Sequence, residues 1–430
     1  MRIGFVELIL LLFIASITVG PNVALFVDRW MRRAQRTSAA AARRKAQMES
    51  QAAAEREAVL HRFRALSNVF AVVLLAALAY GLLLRPIDAP PKVYTPHGVE
   101  TRSGAAQTAD AADALELKGY ELGSAVRVKD GWLYAAASRK KTGVLLRIQP
   151  DGSGLTEVLD TSDEITGFDF APDGTLWMTT VNADGGKLCR VSNDQWGVTV
   201  EPVVSQIDGK ALFCPTAVAV GRDGRIYFTD AAAVRSKYGA ESALRTELFA
   251  HTATGGVYVY DPAARTVEQV LGGVAGASGL AFSPDGGTLY VADLASRCVW
   301  AVPPDSRELT AGGKGCALFA DGLPGYPGAL AVDEDGTVYV GYRWERLNWL
   351  EEHADGTVLR GAALRLSETM QENLVSLPAG AICAESFSPA GTLLASYSGK
   401  QLGSAAALCP AGSRMYIGIS GAEKLRWVRI

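Results

Sequence analysis

The stretch DGRIYFTD, residues 223–230, decides how this chain is read. An Asp-Gly pair supplies the positive φ that a tight hairpin needs, and an apolar run of high β-propensity follows it. The same unit recurs as DGWLYAA (130–136), DGTLWMTT (173–180), DGGTLYVAD (285–293) and DGTVYVGY (335–342), with a degenerate copy GSRMYIGI at 412–419. The full copies lie about 43 to 63 residues apart. Strand-rich units of that period are the signature of propeller blades. Within each run the apolar residues alternate only partly, as expected for strands packed between two neighbouring sheets.

Further strands follow each unit. After DGRIYFTD come GGVYVYDP (255–262) and TVEQVLGG (266–273); after DGGTLYVAD come RCVWAVPP (297–304) and CALFADGL (316–323). The spacing predicts four strands per blade and about six blades over residues 112–430. The chain ends on LRWVRI (425–430), the third strand of its last blade, so LELKGYE (115–121) is expected to supply the fourth and close the ring. Closure removes the exposed sheet edge. Two stretches read as helical insertions: SKYGAESALRTELFAHT (236–252) in the third blade and residues 345–377 in the fifth. Long insertions of this kind are often functional lids. The expected fold class is therefore all-β, a six-bladed β-propeller with two helical insertions.

Ahead of it the composition changes. Phe5–Val27 and Leu66–Leu84 are apolar and each approaches the ~20 residues that cross a bilayer as a helix. The first carries Glu7 and a Gly20-Pro21 break, and a cleaved signal peptide is its competing reading. Between them, Asp28–Arg64 holds ten Lys/Arg against four acids and no Gly or Pro, which favours a helix. The positive-inside rule places that segment in the cytoplasm and both chain ends outside it. The expected organisation is a two-helix transmembrane hairpin over residues 1–85, an irregular linker over 86–111 and the propeller over 112–430, on the extracytoplasmic side of a plasma (inner) membrane. Residues 1–85 carry +7 of a chain whose net charge is −3, leaving −10 on the remainder. An acidic main domain is a poor partner for nucleic acid.

Several segments together carry a family resemblance. GRDGRIYFTD, a helical insertion, GGVYVYDPAARTVEQVLGGV, ASGLAFSPDGGTLYVAD and GLPGYPGALAVDEDGTVYV occur in the order seen in strictosidine-synthase-like propellers, with the gluconolactonase/regucalcin family more distant. The resemblance implies a divalent cation, calcium among them, held at the channel mouth by carboxylates and Asn side chains, where it would polarise an ester. This chain departs from that pattern. The family's Asn positions fall at Thr216 and Ser278, its Asp at Gly328, its first-blade Glu at Gly123 beside Glu121, and a last-blade Glu near Pro410. So few carboxylates leave little charge for a hard cation, and no metal cofactor is expected. A fainter likeness, of GFVELILLLFIASITVGP and the basic segment after it to small subunits of the twin-arginine translocase, implies an accessory role in a membrane complex.

Other chemistry is sparse. No G-x-S-x-G elbow or phosphate loop occurs, and of four histidines, His251 and His353 sit in the insertions, where surface placement is expected. Asp230 and Asp293 end inner strands and are expected to bind turn backbone. The alternative is a channel-mouth ligand cluster of Thr216, Asp230, Ser278, Asp293, Tyr326 and Arg343. Trp344 and Trp349 could line that pocket or staple the second insertion. Six cysteines permit disulfides between sequence neighbours, Cys298 with Cys316 among them, or none. The expected function is a membrane-anchored module that binds a small hydrophobic ligand or another membrane protein; the competing reading is a lactonase- or esterase-type hydrolase.

Overall fold

A computed structural model describes residues 39–98, 105–108, 113–194, 197–234, 238–375 and 380–430. The chain divides into two compact units at Arg85/Pro86. In the first, helix α1 (Ala39–Ala79) continues through one π-helical turn, Tyr80–Leu84. From Ala39 on, the basic segment and the second apolar stretch are thus one continuous helix. Its Ala53–Leu84 portion contains an 18-residue stretch with a mean hydropathy of 2.2 and is long enough to cross a membrane. The first apolar stretch, Phe5–Val27, lies outside the described residues; among the described residues one helix is long and apolar enough to cross a membrane.

The second unit is a ring of six sheets. Blade one runs Glu121–Lys129, Trp132–Arg139, Thr142–Ile148, Thr156–Thr161 from the axis outward. Blade two runs Glu164–Phe170, Leu176–Asn182, Gly185–Asp194, Gly197–Val204, and blade three Val218–Val220, Ile226–Asp230, Gly255–Asp261, Thr266–Val274. Blade four is Ala277–Phe282, Leu289–Asp293, Cys298–Val302, Ala317–Ala320. Blade five is Gly325–Val332, Val338–Glu345, Ile382–Phe387, Leu393–Ser398, and blade six Ala407–Ala411, Arg414–Gly418, Lys424–Arg429. The quoted Asp-Gly runs are the second strands, buried on both faces between neighbouring blades. Gly224 takes the left-handed φ of +79° that its turn requires, and the Asp223 carboxylate accepts the Arg225 amide at 3.0 Å.

Asp113–Glu116 completes blade six antiparallel to Lys424–Arg429, with Leu115 opposite Leu425. The ring closes as expected, a few residues earlier in the chain than LELKGYE suggested. Ala105–Thr108, inside the stretch read as a linker, adds a fifth strand parallel to blade five.

Both helical insertions connect the second strand of a blade to its third. Helix α2 (Ala240–Ala250) rises from blade three; α3 (Asn348–Glu352), α4 (Thr357–Ala363) and α5 (Glu368–Leu374) rise from blade five. They pack on each other: Leu244, Leu248 and Phe249 share a core with Tyr326, Trp344, Leu350 and Val375. Trp344 and Trp349 therefore staple the insertion, Trp349 lying 5.8 Å from the Phe249 ring. Residues 86–98 strap across this lid. Arg360 donates to the carbonyls of Lys92 and Phe249, Arg297 to those of His97 and Leu323, and Arg297 pairs with the buried Glu351 at 2.5 Å. His251 is not a surface histidine, because Tyr94 of the strap stacks on its ring at 3.8 Å. Burial, with Arg360 nearby, pushes its pKa down to about 3. His353 is exposed, as expected.

All six cysteines are free thiols. The Cys298–Cys316 bridge is not formed, and strand register explains why. Ala301 pairs with Ala317, so Cys316 lies beside the far end of the strand that Cys298 begins. That offset of four residues is on the order of 10 Å, beyond the Cα separation a disulfide spans.

Candidate functional site

The innermost strands are variants of one hexapeptide: GSAVRV (123–128), ITGFDF (165–170), PTAVAV (215–220), ASGLAF (277–282) and PGALAV (327–332). Their second residues, Ser124, Thr166, Thr216, Ser278 and Gly328, line the channel on the lid side. In four blades the ladder slips at this position, between Leu122 and Val126, Ile165 and Gly167, Ala277 and Gly279, and Tyr326 and Ala329. Such bulges turn a side chain out of the strand's normal alternation. Here they turn it toward the axis.

Three of these hydroxyls stitch one blade to the next. Thr166 Oγ1 donates to the Pro215 carbonyl at 2.7 Å, Thr216 Oγ1 to Ala277 at 2.6 Å, and Ser278 Oγ to Pro327 at 2.8 Å. Each acceptor immediately precedes the equivalent residue of the following blade. The space they enclose is only about 30 Å³, room for about two water molecules.

Arg343, from the second strand of blade five, closes the mouth above them. Its Nη2 donates to Ser124 Oγ of blade one at 3.0 Å, and its Nη1 lies 3.4 Å from Glu241 Oε2 on α2, the insertion of blade three. Groups from three alternate blades can meet only near the axis. The guanidinium is 3% exposed, and its buried Nε has no hydrogen-bond partner among the described residues. Gly328 makes the room: a Cβ there would stand 2.8 Å from the Arg343 Cβ and 3.1 Å from Nε. Glu164 flanks the group and accepts the Ala240 amide at the start of α2 at 2.9 Å. Burial raises its carboxyl pKa, while that amide and the Arg343 charge pull it back.

Thr216, Ser278 and Arg343 thus converge on the axis, whereas the other three residues of the expected cluster serve the framework. Asp230 accepts the Cys214 and Phe213 amides at 2.7 and 3.1 Å. Burial pushes its pKa up to about 6. Asp293 accepts the Ser296 amide and the Trp300 indole N–H at 3.2 and 3.1 Å, and its pKa too is raised by burial. Tyr326 lies under the blade-five insertion, its hydroxyl accepting the Leu347 amide at 3.3 Å. Ser124, Thr166, Glu164 and Glu241 were not anticipated; aligning the five hexapeptides would have found the first two. No group of three or more His, Cys, Asp or Glu side chains placed to hold a metal occurs among the described residues.

Residues 183–362, from blade two into the blade-five insertion, match the SMP-30/Gluconolactonase/LRE-like region. A gluconolactonase of Zymomonas mobilis is 27% identical over 180 residues, 40% of this chain and 48% of that protein. Strictosidine synthase-like protein 6 of Arabidopsis thaliana is 27% identical over 212 residues, 49% of this chain and 50% of that one. The chain spans about half the length of the curated relatives it matches. Among solved structures, a gluconolactonase of Xanthomonas campestris superposes with a TM-score of 0.51 at 20% identity, covering 81% of this chain and 99% of that one. The family match, these relatives and the ring of six blades together support placing this chain with the gluconolactonase-like and strictosidine-synthase-like six-bladed propellers.

Proposed function

We propose that the chain is a membrane-anchored, extracytoplasmic propeller that binds a ligand or a membrane-protein partner without the metal-dependent hydrolysis of its relatives. The observation that carries this reading is Arg343. A hard divalent cation needs several oxygen donors, carboxylates foremost. At this mouth two candidate donors, Thr216 and Ser278, are neutral hydroxyls rather than carboxylates, a third position is Gly328, and a guanidinium stands beside them with Glu241 as its ion-pair partner. These residues do not fit the cation, and a second positive charge would be repelled. The apolar helix supports the anchor, and tethering would raise the effective concentration of the propeller toward partners in the same membrane. On this reading the first apolar stretch forms the other half of a hairpin.

The test is hydrolysis of gluconolactone and of aryl esters by the purified full-length chain, with and without calcium or manganese. The expected result is no metal-dependent turnover. Turnover that requires either ion would establish the competing hydrolase instead, a reading that the likeness to gluconolactonases keeps in view. Digestion of sealed vesicles by an external protease tests the topology: the propeller should be cut only when its outer face is presented.

A further inference from the structure

The channel has a second mouth, opposite the lid, and it is far roomier. There the last residues of the six inner strands enclose a cavity of about 290 Å³. Phe282, Val220, Val332, Leu280 and Pro410 supply apolar side chains to its wall, between which polar backbone, Arg127 and Asp169 are exposed. Leu280, Leu330, Leu408 and Arg127 line both this cavity and the narrow space above it, so they form the constriction between them. The cavity is therefore a cup with a floor.

One cation faces this cup. Arg127 lies on the inner strand of blade one, its side chain 27% exposed. Its Nη1 donates to the Val126 carbonyl at 3.0 Å. Asp169 of blade two is the nearest acid, yet its Oδ1 stays 3.8 Å from Arg127 Nε, beyond hydrogen-bond reach. The reason is visible in the backbone: Asp169 Oδ2 accepts the Val220 amide at 2.9 Å and Oδ1 accepts the Phe170 amide at 3.0 Å. Asp169, itself part of the cup wall, therefore meets Arg127 by charge alone and leaves the guanidinium donors unbonded to it, so an anionic ligand has to outcompete this carboxylate for the same charge. Lys129, over the Phe170 ring at 4.4 Å, adds positive charge at the rim. Cys409, also in the wall, is no competing anion, because burial pushes its thiol up to about 11.

We infer that this cup binds a small apolar carboxylate, its carboxyl group forked by Arg127 and its hydrocarbon body against Phe282, Val220 and Val332. A half-open cup that sets apolar side chains beside one planar, always-charged donor group is suited to that ligand class. The inference does not depend on what the lid-side mouth binds, since it concerns the other end of the channel.

Isothermal titration of the purified full-length chain with sodium benzoate and, separately, with benzamide tests it. The two probes share a ring and differ in charge, so the comparison needs no variant. Benzoate is expected to bind at least about tenfold more tightly than benzamide, and Arg127→Met to abolish that preference. Arg127→Lys, which keeps the charge and loses the fork, should fall between. Equal binding of the two probes, an undiminished preference in Arg127→Met, or no benzoate binding up to about 10 mM would each overturn the assignment.

Discussion

Arg343 Nη2 and Ser124 Oγ meet at 3.0 Å, joining blade five to blade one across the axis of the propeller. That contact puts a fixed positive charge at the mouth where relatives of this fold are expected to hold a metal. It depends on a neighbouring substitution: Gly328, at the position of the family's Asp, is the residue whose missing side chain admits the arginine.

Gly328→Asp therefore forces a choice between the new carboxylate and Arg343. A Cβ at 2.8 Å from the Arg343 Cβ must displace something. The expected cost is about 1–3 kcal/mol of unfolding free energy, with Gly328→Ala losing a similar amount. Urea unfolding followed by tryptophan fluorescence measures it. Full tolerance of both substitutions would mean that Arg343 does not occupy this place.

The hydroxyl stitches predict a coupled pair. Ser278→Ala removes the donor to Pro327, and Thr216→Val removes the donor to Ala277. Each should cost about 1–3 kcal/mol, because a buried carbonyl is left without its partner. Thr216 bonds to the residue adjoining Ser278, so the double variant should depart from additivity by more than about 0.5 kcal/mol.

The strap across the lid predicts a local effect. Glu351 is buried and pairs with both Arg297 and Arg346 at 2.5 Å. Glu351→Ala leaves the buried Arg297 uncompensated, at an expected cost of about 3–5 kcal/mol. Hydrogen exchange should quicken first at residues 92 and 94, whose amides donate to the Ala250 and Ala354 carbonyls. A uniform increase over all six blades would argue against a strap held by this pair.

Glu247 and Asp230 should each make stability fall as pH rises through the mildly acidic range, against the opposite contribution of His251, whose folded pKa of about 3 favours the folded state as pH rises toward 6.5. Burial pushes Glu247, 0% exposed, up to about 7 and Asp230 up to about 6. Both folded values lie above the unfolded ones, so between about pH 4 and 7 the folded state binds more protons and is favoured toward the acid side. The penalty accumulated by pH 7 from Glu247 alone is on the order of 2–3 kcal/mol. Glu247→Gln should flatten the slope between about pH 4.5 and 7, and unfolding midpoints across that range read it directly. An unchanged slope in the variant would assign the pH dependence to other groups.

Much of the ring is written locally, and so could be read from sequence. Asp-Gly turns followed by doubly buried second strands mark five of the six blades, and the closing partner of Lys424–Arg429 was foreseen to within a few residues of Asp113–Glu116. What the sequence concealed is tertiary. The strap reads as a proline-rich linker because its anchors, Arg297 and Arg360, lie some two hundred or more residues away. The Cys298–Cys316 guess failed on strand register, which spacing alone does not give. Arg343 was singled out as a site residue, but its role depends on Ser124 and Glu241, which only closure of the ring brings together.

The central claim, that the Arg343 guanidinium replaces a metal at the lid-side mouth, is tested most directly by thermal unfolding of the full-length chain in rising calcium, and separately in rising manganese. A bound ion at 100 times its dissociation constant would stabilise the fold by about 2.7 kcal/mol, a readable shift in midpoint. The expected result is no shift with either ion. A saturable rise with calcium or manganese that Gly328→Ala leaves intact and Ser278→Ala weakens would place a cation at this mouth after all and contradict the account.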